Sequence, residues 1–99
     1  VPSDSLVSLR RQIDQLDNEL LDILAKRMNI SREIGEYKLA HNMPVVQAGR
    51  YGDIMTSRIM AARSMGMSEE FMRSVLSAIH EESVRIQVEI GKRKEEEKK

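Results

Sequence analysis

The chain has 99 residues, sixteen basic side chains balancing sixteen acidic ones, two prolines, no cysteine and 3 % aromatic residues. That length makes one domain near the lower end of comfortable single-core size, and a composition led by Leu, Ile, Met, Glu, Lys, Arg and Ala predicts helices with little to build strands from. Zero net charge leaves no general attraction for nucleic acid or an anionic membrane, the missing cysteines exclude disulfide and thiol chemistry, and no apolar run approaches the ~18 residues of a membrane span.

The first predicted element is a long helix from about Ser5 to about Ala40. Leu6, Ile13, Leu20, Arg27 and Ile34 recur every seventh residue, and Leu9, Leu16, Ile23, Ile30 and Tyr37 form a companion line. This a/d pattern predicts a helix packed along most of its length. Pro2 is expected to precede the helix as a stop, with Ser3, Asp4 and Ser5 offering N-cap oxygens. His41-Asn42-Met43-Pro44 ends it, because a residue before proline is pushed out of the α region. A helix of roughly 36 residues is ~54 Å long, against a radius of gyration near ~13 Å for a compact domain of this size. Its apolar seam therefore predicts a homodimer with the long helices paired and the shorter ones folded over them.

The second helix is predicted to start between Gln47 and Arg50 and to run to about Arg63, with Ile54, Ile59 and Met60 on its apolar side. Gly49 and Gly52 weaken its first turn. Gly66 stops it, and Ser68 caps a third helix whose first turn carries Glu69 and Glu70, as the helix dipole favours. Met72, Val75, Leu76, Ile79, Ser83, Ile86 and Ile90 repeat there at helical spacing. Residues 92–99 hold no apolar side chain and predict a frayed or disordered tail. The expected division is thus a linker over residues 1–5, one domain over 6–90 and a charged tail over 91–99. Val1 in place of an initiator Met is expected of a processed product or of a domain cut from a longer polypeptide. The predicted class is all-α: one very long and two shorter helices in an intertwined homodimeric bundle.

Polar residues interrupt the apolar faces. A guanidinium on the seam at Arg27 cannot lose its charge, so it needs an anionic partner, either a carboxylate of the protein or one of a ligand. Arg27, Ser31, Ile34 and Lys38 share one face of the first helix. Asp14, Asp17, Glu19 and Asp22 lie nearer its start, and Glu33 and Glu36 point elsewhere around it. Leu76, His80, Ser83 and Gln87 form a second such face. Arg50 opens the second helix, where a cation opposes the dipole unless an anion is bound nearby. A set rich in donors and poor in carboxylates fits a pocket for a small dianion or polyanion. Taken singly, each residue has a plainer reading. Arg27 suits a buried ion pair or register device, Lys38 a snorkelling lysine, and Ser83 and Gln87 ordinary half-buried polar groups. His80, with no second His or Cys nearby, reads as a core histidine rather than a metal ligand. The methionines read as core packing.

Leu9-Arg10-Arg11-Gln12-Ile13-Asp14-Gln15-Leu16-Asp17 resembles the opening of the all-helical chorismate mutase family. Leu24-Ala25-Lys26-Arg27 followed by Ile34-Gly35-Glu36-Tyr37-Lys38 resembles its central signature. Pro44-Val45 ahead of Arg50, and Glu82-Ser83-Val84-Arg85-Ile86-Gln87, complete the likeness in order from about Leu6 to Gln87. The chain is also similar to mutase domains fused to DAHP synthase, the enzyme that makes the first seven-carbon sugar acid of the shikimate pathway.

The resemblance implies a cytoplasmic, intertwined homodimer that rearranges chorismate to prephenate without cofactor or metal, in phenylalanine and tyrosine biosynthesis. A fused or associated DAHP synthase domain is the partner it implies. Carried over position by position, Arg27 clamps a substrate carboxylate, Lys38 serves a carboxylate and the ether oxygen, and Gln87 donates to that oxygen. Ser83 contacts a carboxylate, Arg50 adds positive charge at the pocket edge, and Arg10 reaches in from the other protomer. Arg10 and Arg27 are ~25 Å apart along one helix axis, too far to share a small ligand within a chain. Gln47 and Tyr51 stand where many members carry acidic residues near the substrate hydroxyl, and His80 where an aliphatic residue is common. With the two glycines of the second helix, these departures predict modest activity for the isolated chain, rising when a partner orders that segment. Rival readings are an isochorismate pyruvate lyase on the same fold, a non-catalytic regulatory helical module, and a plain structural coiled coil.

Overall fold

The structure is a computed structural model that describes residues 2–98. Three helices follow in order: α1, Pro2–Ala40; α2, Ala48–Ser64; and α3, Glu69–Lys98. Among the described residues there is no strand, so the all-α class expected from composition is the class observed. Val1 and Lys99, the outer ends of the expected linker and tail, lie outside the described residues.

The helix ends show where local chemistry acts. Pro2 is not a stop before α1 but its first residue. A proline's fixed φ and missing N–H suit that position, and Ser3, Asp4 and Ser5 therefore lie inside the helix rather than at its N-cap. At the other end the Met43 N–H donates to the Lys38 carbonyl at 2.8 Å and the Asn42 N–H to the Leu39 carbonyl at 3.3 Å. Asn42 sits at φ 55°. This is a Schellman closure with asparagine at the left-handed position. α2 ends the same way: Gly66 at φ 86° donates to Arg63, and Met67 donates to Ala62. Ser68 caps α3 as expected, its hydroxyl accepting the Phe71 N–H at 3.2 Å.

α3 then runs on through Gly91 to Lys98, past the boundary expected at Ile90. Glu, Lys and Arg are strong helix formers, and Arg93 pairs with Glu89 one turn back at 4.0 Å, so a segment without apolar residues can still be helical.

The chain divides into two compact units, one ending at Ile30 and one beginning at Ser31. In the first, Leu6, Leu9, Ile13, Leu16, Leu20 and Ile23 are between 47 % and 61 % exposed in the single chain. In the second, Met55, Ile59 and Ala62 of α2 and Ile86 of α3 are buried. Met60, expected on the apolar side, is instead exposed. Met55, Ile59 and Ala62 are spaced i, i+4, i+7, and Met60 is turned about 100° from Ile59 around the helix. Among the described residues no helix is long and apolar enough to cross a membrane.

Candidate functional site

The second unit gathers a polar cluster around Lys38, two residues before the end of α1. Its ammonium donates to the Val45 carbonyl at 2.7 Å and to Gln87 Oε1 at 3.1 Å. Gln87, from the middle of α3, donates from Nε2 to the Ser31 carbonyl and to the Ser31 hydroxyl, each at 3.1 Å. Ser31 and Gln87 are the two buried polar residues of the described chain, at 4 % and 7 % exposure. Lys38 is half-buried, and desolvation lowers its pKa from the ordinary lysine value of 10.5. Both oxygens facing it are neutral.

The close approach of α1 to α3 depends on Gly35. A Cβ there would lie 2.7 Å from Gln87 Cγ and 3.3 Å from Gln87 Cα. Only a residue without a side chain lets the glutamine pass at this level. Ser31, Gly35 and Lys38 are spaced i, i+4, i+7 on α1, so one stripe contributes the hydroxyl, the gap and the ammonium.

The remaining sequence-predicted residues of this unit are distributed around α2 and α3. Ser83 is half-buried one turn before Gln87 on the same face of α3. Gln47 occupies the N-cap of α2 in an extended conformation, with no side-chain cap bond, and its carbonyl accepts the Tyr51 N–H at 3.1 Å. Tyr51 stacks on His80 of α3 with centroids 3.9 Å apart and planes at 27°. That contact ties the first turn of α2 to α3 and gives His80 a packing role. Arg50 is exposed in that same turn, which contains no acidic residue. Glu82, beside Ser83, is engaged by Arg85 at 2.7 and 2.9 Å, and this pairing holds its carboxyl below the usual range. Arg10 and Arg27 belong to the first unit, where both are exposed on the single chain.

Three members of the cluster were not singled out for a role by sequence reasoning. Ser31 and Gly35 had a detectable signal in their spacing to Lys38. The Val45 carbonyl had none, because a backbone acceptor in a connection carries no side-chain signature.

Residues 9–88 match the family model for chorismate mutase type II. The chain is 36 % identical over 78 residues to the T-protein of Enterobacter agglomerans, a match covering 79 % of this chain and 21 % of that protein. It is 32 % identical over 87 residues to the 4-amino-4-deoxychorismate mutase of Streptomyces pristinaespiralis, covering 88 % of this chain and 67 % of that one. It is 30 % identical over 79 residues to the bifunctional chorismate mutase/prephenate dehydratase of Escherichia coli (strain K12), covering 80 % and 20 %. The chain thus spans about a fifth of the length of the T-protein and of the bifunctional enzyme.

Proposed function

The chain belongs to the type II chorismate mutase family, and on that premise we propose that it converts chorismate to prephenate by an intramolecular Claisen rearrangement, in phenylalanine and tyrosine biosynthesis. The observation that carries this reading is the Lys38–Gln87 pair, a half-buried ammonium and a buried amide held together without a carboxylate.

The reaction needs positioning and donors more than proton transfer. In the rearrangement the C–O bond breaks ahead of C–C formation, so negative charge grows on the ether oxygen. A partly desolvated ammonium held by two hydrogen bonds meets that charge with little reorganisation and stabilises the transition state more than the ground state. Lys38 and Gln87 serve the ether oxygen. Arg27 and Ser83 hold carboxylates, which keeps the side chain over the ring in its reactive conformer. Arg50 adds positive charge at the pocket edge, and Gln47 and Tyr51 contact the substrate hydroxyl. Arg10 is supplied across a homodimer interface, with the half-exposed seam of the first unit as the surface that pairs. A DAHP synthase domain is the proposed fused or associated partner, in the cytoplasm.

The test is to incubate the purified chain with chorismate, follow its loss and the appearance of prephenate, and run Arg27→Ala beside it. Turnover is expected, falling about 100-fold or more without the guanidinium. A well-folded dimer with no turnover would overturn the mutase reading. A parallel arm supplies 4-amino-4-deoxychorismate, because one relative is named for it. The charged residues assigned to the site are all cations, so a substrate bearing an ammonium is expected to react more slowly than chorismate.

A further inference from the structure

We propose that Ser31 is a positioning residue that fixes which end of the Gln87 amide meets Lys38. This rests on the reading of Lys38 and Gln87 as the groups that serve the ether oxygen. A primary amide has two N–H donors on nitrogen and an acceptor oxygen, and the two ends are nearly equal in size. Something must therefore select their orientation. Ser31 supplies two acceptors to one nitrogen, its carbonyl and its hydroxyl, each at 3.1 Å. The amide oxygen is left facing the Lys38 ammonium at 3.1 Å.

The reversed amide is opposed by two of these groups, the Lys38 ammonium and the Ser31 carbonyl. It would set its NH2 group against an ammonium, donor against donor, and its oxygen against the Ser31 carbonyl, acceptor against acceptor. Ser31 and Gln87 are buried, so water is poorly placed to repair either mismatch. Gly35 keeps the glutamine stem close enough for both bonds, since a Cβ there would meet Gln87 Cγ at 2.7 Å. Lys38 has three N–H donors. One goes to Val45 and one to Gln87, which leaves one for a substrate oxygen. The nitrogen end of Gln87 can turn one N–H to the substrate while the other stays shared between the Ser31 carbonyl and hydroxyl. Ser31 touches no reacting atom and acts through Gln87.

The experiment compares wild type, Ser31→Ala and Ser31→Thr in kinetics and in the side-chain amide resonances of Gln87. With one acceptor gone, Ser31→Ala is expected to lower kcat about fivefold while leaving KM within about twofold. Ser31→Thr keeps the hydroxyl and is expected to recover most of the loss. A second readout is the alkaline limb of the rate profile. An amide oxygen that no longer faces the ammonium stabilises it less, so that limb moves to lower pH in Ser31→Ala and returns in Ser31→Thr. The Gln87 NH2 signals are expected to shift in Ser31→Ala and to move back in Ser31→Thr. Unchanged kcat and alkaline limb, or unchanged Gln87 signals, would overturn the proposal. No turnover by folded wild type would instead sink the catalytic reading, and the Gln87 signals alone then decide whether Ser31 holds the amide. Unfolding of Ser31→Ala moves that decision to Ser31→Thr and to Gly35→Ala, which should displace the Gln87 signals with both Ser31 acceptors present.

Discussion

At Lys38, activity and stability are expected to respond to pH in opposite directions. Burial lowers its pKa from 10.5, so the folded chain releases this proton at a lower pH than the unfolded chain does. Between the lowered value and 10.5 the unfolded state binds more protons, and stability contributed by this residue rises with pH. The proposed chemistry requires the ammonium, so turnover falls through the same window. Wild type compared with Lys38→Met should show both effects. Its kcat/KM should decline on an alkaline limb lying below the ordinary lysine range, while its unfolding free energy relative to the variant increases. A limb at or above 10.5, or two quantities falling together, would sink this account. The donors on the two polar faces were legible in the sequence because each broke a helical apolar stripe. Their pairing was not, since spacing places Lys38 and Gln87 on faces but does not bring two helices together.

At the scale of the element, helix ends were read well where a single residue type carried the geometry. Gly66 at φ 86° and the Ser68 cap both stood where glycine and serine are chemically required. Gly66→Ala should therefore destabilise the fold by ~1 kcal/mol, because a Cβ is disfavoured in the left-handed region. For a chain of this size that corresponds to roughly 4–8 °C in Tm at fixed protein concentration. Thermal unfolding by circular dichroism checks it, and an unchanged Tm would show that the α2–α3 turn relaxes without cost. The start of α1 and the end of α3 were misplaced for opposite reasons. Pro2 looked like a stop but is favourable inside the first turn. The segment after Gly91 looked too polar to fold, although helix propensity and an i, i+4 pair suffice for backbone order.

For the molecule as a whole, the seven-residue repeat predicted a surface that wants a partner, and the single chain leaves that surface about half exposed. The proposed dimer yields a test that separates shared sites from private ones. Arg10→Ala and Lys38→Met chains, each nearly inactive alone, are unfolded together and refolded as a mixture. If Arg10 serves the partner's Lys38, each mixed dimer has one site with both substitutions and one with neither. About a quarter of wild-type activity should return for random pairing. No recovery in a mixture shown by mass spectrometry to contain mixed dimers would mean that Arg10 serves its own chain or none. The repeat made the half-exposed apolar seam legible, but the sequence of one chain does not display which residues would meet across the proposed dimer.

The bond from Lys38 to the Val45 carbonyl has one more implication, and it concerns tolerance to genetic change. The acceptor belongs to the main chain, so any side chain can stand at position 45 without removing it. What the bond constrains is the number of residues between the end of α1 and that carbonyl. An insertion or deletion there would carry a different peptide to Lys38 while every side chain assigned to the site kept its identity. Lineages descended from this chain should therefore drift in the spelling of the α1–α2 connection while keeping its length.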